Sequence, residues 1–438
     1  MPELFDPFLV KTLKEDKSFL EETAIPIITV SSSYKEDLKE MHGFPARDDT
    51  PDVVFSRAHY SMALAVATAA WGTKVDHTKA WILDPTNYVS KKDWGSIVLT
   101  EEIGKTIARY PILQTIKAVI DTFGRSKLPI LDSITPPLLY VTEHIPQPIL
   151  SFHIAAGNIL ASQGKTVVQV ITDPHVRDEY VTNAHRKNMY FCVFDENTKT
   201  EFLEKAALHG IAADPQRVTV TGAPIDPRTL AAKKKKHPYR SGVLKLCLTT
   251  GGLGTNKHEL LSVLEQLLPE LRKKTRNLSV LVYCATHEDI YKDVLKLAKK
   301  NRVKVFEDTA KNAMLRVLYH PQIVDANEKL QQLAFPWADG FITKPSGDMA
   351  YDAAASGSFV LTLDEWGPWE ERIREVFEQK QISRKLVTDS VVAQLESLRS
   401  AKSAPHSWIE KAMLNAHALP KSLTNGAEHI IEVVKRAK

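Results

Sequence analysis

The residues with the clearest chemical potential lie between Gly340 and Gly357, in the sequence Gly-Phe-Ile-Thr-Lys-Pro-Ser-Gly-Asp-Met-Ala-Tyr-Asp-Ala-Ala-Ala-Ser-Gly. The apolar start indicates a strand, Pro345 and Gly347 indicate a tight turn, and the alanine-rich part has high helix propensity. A helix that begins near Ser346 would present unpaired backbone N–H groups and the positive end of its dipole. Together these favour a bound phosphate.

Charged side chains around this turn extend the predicted site. Lys344 supplies a positive charge, and Asp352 lies four residues after Asp348, so both carboxylates face one side of the helix. A carboxylate there can accept two hydrogen bonds from a ribose diol. From these residues alone, an ordinary strand-to-helix connection without a ligand stays open as the alternative.

A second glycine-rich loop comes earlier in the chain. An apolar run over residues 244–250 leads into Gly251, Gly252, Leu253, Gly254 and Thr255, and a helical pattern covers residues 258–271. Glycines let the backbone approach a ligand closely, although the spacing is neither a P-loop nor a full GxGxxG fingerprint. We therefore expect the two loops to be opposite lips of one crevice at the carboxyl ends of parallel strands.

The elements that position these loops alternate between strand and helix along the whole chain. This alternation predicts parallel sheets covered by helices on both faces, in two domains, because cores rarely grow beyond about 250–300 residues. The predicted strands cover residues 27–30, 81–83, 138–141, 167–171, 189–194 and 218–221, and then 245–248, 279–283, 303–306, 341–343 and 359–361.

Composition argues against several functional classes. A net charge of +4 on 438 residues does not call for a nucleic-acid partner. The three cysteines stand far apart without a CxxC motif, which favours buried, reduced thiols over a metal site. No apolar run reaches the roughly 18 residues of a membrane span, and no signal-peptide pattern is visible, so we expect a soluble, cytoplasmic protein.

The basic block Lys233-Lys-Lys-Lys-His237 lies between the predicted domains. Its simplest interpretation is a solvated linker. The alternative is weak attraction to an anionic membrane surface, worth about 1 kcal/mol per basic residue near the headgroups. That alternative predicts a protein peripheral to the inner face of the membrane.

The order of the two loops, followed by Trp366-Gly-Pro-Trp-Glu-Glu371, resembles the C-terminal half of GT-B glycosyltransferases of the MurG and monogalactosyldiacylglycerol synthase type, with a glycosyltransferase family 28-like C-terminal domain. Residues 167–173, 190–195 and 217–225 resemble the end of that family's N-terminal domain. The likeness covers roughly residues 150–385. Ser346 replaces a family glycine, Asp352 replaces a glutamate, residues 309–335 read as an insertion, and the glycine-rich first loop is missing.

The resemblance implies a GT-B fold, with two doubly wound Rossmann-like parallel-sheet domains that face a central cleft. Residues 1–235 would bind the acceptor, residues 236–385 the nucleotide sugar, and the helical residues 386–438 would cross back to the first domain. It implies inverting, metal-independent transfer of a hexose or N-acetylhexosamine from a UDP-sugar, with no cofactor. The acceptor stays open; lipids and glycans serve relatives.

The resemblance also assigns residues to the donor. The acidic loop contributes Glu370 or Glu371 to ribose or sugar hydroxyls, and Phe306 with its neighbours lies where relatives hold the base. The tryptophans of the loop are expected to pack on the core, with packing on the sugar as the alternative. The remaining donor residues come from the two loops: Gly251, Gly252, Gly254, Thr255, Lys344, Pro345, Ser346, Gly347, Asp348 and Asp352.

The candidate catalytic base is His59. Its segment, residues 56–70, resembles the family's Gly-Gly-His followed by an alanine-rich helix, and an imidazole at a helix N-terminus can accept a proton near neutral pH. A histidine that only caps the helix is the alternative. Further acceptor-side candidates are expected at the carboxyl ends of the strands predicted at residues 138–141 and 167–171, with hydrogen-bonded loops as the alternative: Glu143, His144, Asp173, His175 and Arg177.

Two other functions fit the same resemblance. A UDP-sugar epimerase would need no acceptor, and the missing N-terminal glycine loop permits it. A non-catalytic protein that binds sugar nucleotides would keep the donor domain without turnover.

Overall fold

The structure, a computed structural model, describes residues 7–32, 52, 54–88, 129–273, 275, 277–307, 313–401 and 404–438. They divide into two compact units. The first unit holds the described residues up to Asp226, except Asp52, together with Lys421–Lys438. The second unit holds Asp52 and Pro227–Pro420. The C-terminal end of the chain therefore returns to the first unit.

The first unit is built on a six-stranded parallel sheet with the spatial order β2-β1-β3-β4-β5-β6. Its strands are β1 (Pro26–Ile28), β2 (Trp81–Leu83), β3 (Ile149–Ser151), β4 (Val167–Val170), β5 (Met189–Val193) and β6 (Val218–Val220). Its helices are α1 (Pro7–Glu22), α2 (Arg57–Trp71), α3 (Pro129–Thr142), α4 (Ile154–Ser162), α5 (Asp178–Val181) and α6 (Glu196–Leu208), with α15 (Lys421–Thr424) and α16 (Gly426–Arg436) from the C-terminal end.

The second unit is built on a seven-stranded parallel sheet with the spatial order β13-β12-β11-β7-β8-β10-β9. Its strands are β7 (Leu244–Thr249), β8 (Leu278–Tyr283), β9 (Phe306–Glu307), β10 (Leu315–Leu318), β11 (Gly340–Thr343), β12 (Phe359–Thr362) and β13 (Ser383–Lys385). Its helices are α7 (Pro227–Lys235), α8 (Lys257–Leu271), α9 (Glu288–Lys300), α10 (Ile323–Lys329), α11 (Met349–Ala355), α12 (Pro368–Gln379), α13 (Val391–Arg399) and α14 (Trp408–His417).

Each sheet contains one point at which the chain reverses its direction of growth. From β1 the chain places β2 on one side and β3 on the other, and from β7 it places β8 on one side and β11 on the other. Helices cover both faces of the sheets, so most strand residues are apolar, and every residue of β4 and of β11 is buried. Such a reversal leaves a crevice at the carboxyl ends of the two central strands.

The strand predicted at residues 138–141 is wrong. These residues lie in α3, which continues through Pro136 and Pro137. A four-residue apolar run fits a buried helix as well as a strand, because periodicity cannot distinguish the two at that length. The strand in this part of the sheet is β3, which the sequence analysis did not predict; it follows Pro148 directly and has only two apolar residues.

The predicted insertion at residues 309–335 contains part of the second sheet. Its strand β10 pairs with β8, and the strand predicted at residues 303–306 becomes the two-residue β9 at the outer edge. Arg316 interrupts the apolar pattern of β10, and its guanidinium lies 4.2 Å from the centre of the Trp337 ring. This contact explains how a charged residue is accommodated in a buried strand.

The unit boundaries differ from the sequence-based ranges of 1–235, 236–385 and 386–438. Helix α7 counts with the second unit, as does the chain up to Pro420, and only Lys421–Lys438 join the first unit. There α16 packs against α2, and Nδ1 of His429 lies 2.8 Å from the carbonyl oxygen of Thr221.

The basic block is not a solvated linker. Lys233, Lys234 and Lys235 form the last turn of α7, and the Lys236 side chain is buried. Its ammonium donates hydrogen bonds to the hydroxyls of Ser358 at 2.8 Å and Ser356 at 3.3 Å. Burial lowers the pKa of Lys236 to about 7.

The three cysteines are buried and free, and burial raises the pKa of each thiol. Across the described ranges, no helix combines the length and apolarity that crossing a membrane requires.

Candidate functional site

The two loops predicted to bind a ligand adjoin at the reversal point of the second sheet. Because β7 pairs with β11, the loop that begins at Gly251 and the turn that begins at Lys344 both leave the carboxyl edge at neighbouring positions. A Cβ atom placed on Gly251 would lie only 2.8 Å from Cδ of Lys344. Thr249 donates a hydrogen bond of 2.7 Å to the Thr343 hydroxyl, which joins the strand ends directly. The loops are therefore side by side above one sheet edge.

The glycine-rich loop turns sharply before α8. Gly254 has φ of 71° and Asn256 has φ of 67°, so the chain twice adopts the left-handed conformation that glycine and asparagine tolerate best. The N–H of Gly254 donates to the carbonyl oxygen of Gly251 at 2.8 Å. The Asn256 amide donates to Glu259 at 2.7 Å and to the carbonyl oxygen of Asp364 at 3.0 Å. These bonds fix the approach of the loop to the helix.

The Lys-Pro turn leads to a helix that starts later than predicted. Helix α11 begins at Met349 and has seven residues. The Ser346 hydroxyl accepts the N–H of Met349 at 3.2 Å and donates to Asp348 at 2.7 Å, so it caps the turn from outside the helix. Asp352 is buried within α11. Because α11 is short and partly capped, its N-terminus is a weaker positive group at this edge than Lys344 and the start of α8.

Lys344 and Glu370 form a buried ion pair. Their side chains are 10% and 2% exposed, and the ammonium contacts Oε1 of the carboxylate. The second oxygen of Glu370 accepts the backbone N–H of Trp366 at 2.8 Å. Glu371 is exposed, and its carboxylate lies 3.6 Å from the Arg374 guanidinium. Of the two predicted acidic residues, the structure places only Glu370 beside the Lys-Pro turn.

The two tryptophans of the acidic loop are half-buried. Their rings meet edge to face with centroids 6.3 Å apart. The Lys344 ammonium lies 5.5 Å from the centre of the Trp366 ring, within the range of a cation–π contact. Trp366 is therefore packed on the same charged group as Glu370.

An aromatic pair that the sequence did not reveal lies further along the same edge. Tyr319 follows β10 directly, and its ring stacks on Tyr291 of α9, with centroids 4.9 Å apart and an angle of 15°. Nε2 of His287 lies 3.0 Å from the carbonyl oxygen of Gly252, so the start of α9 is tied to the glycine loop. Phe306, the predicted base-binding residue, lies on the outermost strand.

His59 and a second histidine, His153, meet at the reversal point of the first sheet. His59 is in the first turn of α2, whose N-cap Ser56 accepts its backbone N–H at 3.4 Å, and His153 is the N-cap of α4 just after β3. The two rings meet edge to face, with centroids 5.6 Å apart. Nδ1 of His59 lies 3.3 Å from the carbonyl oxygen of Val30. Sequence reasoning missed His153 because it missed β3.

A buried carboxylate holds two described residues shortly after β1. Asp84 accepts the backbone N–H of Ser31 at 2.6 Å and of Ser32 at 3.0 Å, and the hydroxyl of Thr86 at 2.7 Å. Desolvation outweighs these hydrogen bonds and raises the pKa of Asp84 to about 6. Asp84 thereby ties Ser31 and Ser32 to the end of β2.

Glu143 and His144 are not at a strand carboxyl end, which corrects their prediction. They follow helix α3 and precede β3, so they lie at the amino edge of the sheet, opposite to His153. Both are exposed, and Glu143 pairs with Lys17 at 2.9 Å. This hydrogen bond and the charge of Lys17 lower the pKa of Glu143.

Asp173 and His175 do follow a carboxyl end, that of β4. Asp173 lies 3.4 Å from the Arg177 guanidinium, and Nδ1 of His175 lies 3.0 Å from the Glu201 carboxylate. Within the described residues, no three His, Cys, Asp or Glu side chains are grouped closely enough to hold a metal ion.

No model of a known protein family matches the sequence, and no curated protein matches it. Among solved structures, the chain is similar to UDP-GlcNAc 2-epimerase from Neisseria meningitidis bound to UDP-GlcNAc, with a TM-score of 0.53 and 13% identity over 94% of this chain and 99% of that chain. It is also similar to MurG of Acinetobacter baumannii (TM-score 0.47, 11% identity, 94% and 99% covered) and to Medicago truncatula UGT71G1 complexed with UDP-glucose (0.47, 10%, 95% and 99%). At such identities a likeness shows fold and not activity. With its two doubly wound parallel sheets, this chain has the GT-B fold.

Proposed function

We propose that the protein is a glycosyltransferase that transfers a hexose or N-acetylhexosamine from a UDP-sugar to an acceptor hydroxyl. The observation that carries the proposal is the meeting of the Gly251 loop and the Lys344 turn at one reversal point, with a buried lysine between them. Close backbone approach and fixed positive charge are what a diphosphate requires. The UDP-GlcNAc bound in the Neisseria meningitidis structure of similar fold supports this choice of donor.

The donor would lie along the carboxyl edge of the second sheet. Its diphosphate would contact Lys344 and the N–H groups around Gly251, and Asp352 would accept hydrogen bonds from the ribose. We assign the base to the β8–β10 side of the edge, where Tyr319 and Tyr291 stack, because Phe306 lies one strand further out.

In the transfer step the acceptor hydroxyl attacks the anomeric carbon, and the bond from that carbon to the diphosphate oxygen breaks. His59 would accept the hydroxyl proton, and UDP would leave with the bonding electron pair, which inverts the anomeric configuration. Positive groups fixed beside the leaving diphosphate stabilise its developing charge. This assigns Lys344 and the start of α8 to the leaving group, and it predicts a reaction that tolerates EDTA.

Isothermal titration with UDP, UDP-sugars, GDP and ADP, each with and without EDTA, tests the donor site. We expect micromolar binding of UDP that EDTA does not change and that Asp352→Ala weakens at least tenfold. Binding of no nucleotide at all would mean that the fold is shared without the donor site. A positive result justifies an acceptor screen over lipids and glycans, in which His59→Ala should lose transfer and keep UDP binding.

One observation favours a UDP-sugar epimerase as the second candidate. The chain after β1 includes Ser31 and Ser32, whose N–H groups are held by Asp84. The glycine-rich first loop of the resembled family is missing, which permits an enzyme without an acceptor. Product analysis separates the two activities: transfer releases free UDP with a new glycoside, whereas epimerisation returns an isomerised sugar with UDP attached. Measurable UDP binding without donor consumption would favour a binding protein.

Membrane contact through the basic block stays a prediction. Lys234 and Lys235 are exposed on α7, whereas Lys236 is committed to its buried hydroxyl partners. Sedimentation with anionic vesicles at low salt is the measurement, and unchanged sedimentation would contradict the contact.

A further inference from the structure

The buried pair of Lys344 and Glu370 occupies the place where the proposed donor would put its diphosphate. Nζ of Lys344 contacts Oε1 of Glu370, and both side chains are almost fully buried. Lys344 is held from the other side by the backbone of Gly251, where a Cβ atom would meet Cδ, Cε and Nζ of the lysine at 2.8, 2.9 and 3.3 Å. The charge that should receive a phosphate is therefore already neutralised in the free protein.

Glu370 is itself held by the loop before its helix. It lies in the first turn of α12, and its Oε2 accepts the N–H of Trp366 at 2.8 Å. Removing only one partner of a buried ion pair leaves the other charge uncompensated, which is strongly unfavourable. When a diphosphate binds Lys344, the Glu370 carboxylate must therefore find other hydrogen-bond donors.

We propose that Lys344 exchanges Glu370 for the donor diphosphate, and that the released Glu370 carboxylate then accepts hydroxyls of the donor sugar. This inference rests on the proposed function and adds a coupling to it: the phosphate and the sugar are recognised together. UDP alone supplies a negatively charged partner for Lys344 but no hydrogen-bond donor for Glu370. A UDP-sugar satisfies both, because sugar hydroxyls are donors within the same ligand.

The exchange makes Glu370 a competitor of the diphosphate, and Glu370→Gln tests it by isothermal titration. In the variant, the Lys344 charge has no carboxylate partner, so we expect UDP and inorganic pyrophosphate each to bind about tenfold more tightly than to the wild type. The wild type should prefer UDP-GlcNAc or UDP-glucose to UDP at least threefold, and the variant should lose this preference.

Two further variants serve as controls for charge and for folding. Glu375→Gln removes the same charge from an exposed position of α12 and should leave all affinities within twofold. Glu370→Asp retains the charge and withdraws the carboxylate by one methylene, so it should raise UDP affinity about threefold and covers the case in which Glu370→Gln fails to fold.

The outcomes separate the two levels of the proposal. Unchanged or weaker UDP binding in both Glu370 variants, with binding to the wild type intact, would overturn the exchange and leave the proposed function standing. If neither the wild type nor the variants bind UDP, a UDP-sugar or pyrophosphate, both are overturned.

Discussion

At the scale of single residues, we propose Tyr319 in place of Phe306 as the residue that contacts the base. Phe306 belongs to β9 at the outer edge of the sheet, with the Lys304 ammonium 4.8 Å from its ring centre. Tyr319 follows the strand that adjoins β8 and is already aligned by Tyr291. A preformed aromatic surface suits a planar base, because its stacking costs little ordering of side chains.

We predict that Tyr319→Ala weakens UDP binding about tenfold, since base–aromatic stacking contributes about 1–3 kcal/mol. Phe306→Ala, the matched control on the neighbouring strand, should change it less than twofold. Competition titrations with UDP measure both. The reverse pattern would restore Phe306 as the base-binding residue.

His153 is the residue whose role the sequence did not reveal. Its ring meets His59 edge to face, a geometry worth about 0.5–1.5 kcal/mol between aromatic rings, and it can thereby hold the orientation of the proposed base. We class His153 as a positioning residue, since its position defines where the His59 ring can lie.

We predict that His153→Ala lowers the transfer rate more than tenfold with UDP affinity unchanged, and that His153→Phe recovers most of the rate because it keeps the ring contact. Single-turnover rates and UDP titrations of both variants provide the measurement. Equal loss in the Phe and Ala variants would show that a nitrogen of His153, and not its ring, is required.

At the scale of elements, the glycine loop and the Lys-Pro turn depend on one close approach. Gly251 is buried beneath Lys344, and an added methyl group would displace the lysine or the loop. We predict that Gly251→Ala abolishes measurable UDP binding while the free energy of unfolding falls by only about 1 kcal/mol, because a lysine stem can shift more easily than a strand.

Gly164→Ala is the control for that experiment. Gly164 has φ of 80° and open space around its Cα, so alanine there is strained by backbone conformation alone, at about 1–2 kcal/mol. Its UDP binding should match the wild type. Unchanged UDP binding in Gly251→Ala would mean that the loop has no contact with the ligand.

Elements also show what the sequence could and could not predict. Apolar runs such as Met189–Val193 predicted strands of the parallel sheets, and the glycine loop and the Lys-Pro turn were located because turn residues have local signatures. Strand β3 has only two apolar residues, strand β13 reads Ser-Arg-Lys, and β10 carries a charge that only its ring contact explains, so none of them shows a clear apolar run. Because β3 was not predicted, Glu143 and His144 were assigned to the acceptor side, and His153 was not identified.

The ion pair was likewise not indicated by the sequence. Lys344 and Glu370 were each predicted from local motifs as separate ligand contacts, and nothing in their spacing indicates that they pair. The pairing follows from β11 and β12 being neighbours, which delivers the loop after β12 to the turn after β11. The sequence singled out both residues, whereas their pairing could be recognised only from the sheet order.

At the scale of the whole molecule, the C-terminal end returns to the first unit, so that unit is built from two distant parts of the chain. Gly222 has φ of 86°, and its Cα faces the backbone of Ser422, while Gly426 lies against Ala223. Completion of the first unit therefore requires Lys421–Lys438, which are synthesised after the whole second unit.

Lys236, the first residue after α7, gives the second unit a pH dependence whose sign can be stated. Its pKa of about 7 in the folded protein lies below its ordinary value of 10.5, mainly because of burial. Folding therefore releases a proton between these values, and the free energy of unfolding rises with pH from about 7 towards 10.5. The cost of the buried charge is largest below pH 7 and disappears as the unfolded chain also loses its proton.

We predict that Lys236→Met removes this rise. From pH 7 to pH 9 the free energy of unfolding of the wild type should rise by about 2 kcal/mol, at about 1.36 kcal/mol per pH unit, relative to that of the variant. Denaturant unfolding at the two pH values measures the difference, with Lys235→Met, an exposed neighbour in the same basic block, as the control. If the free energies of unfolding of both variants depend on pH in the same way, Lys236 stays charged in the folded protein. Its two serine partners and Asp339 would then offset the cost of burying its charge.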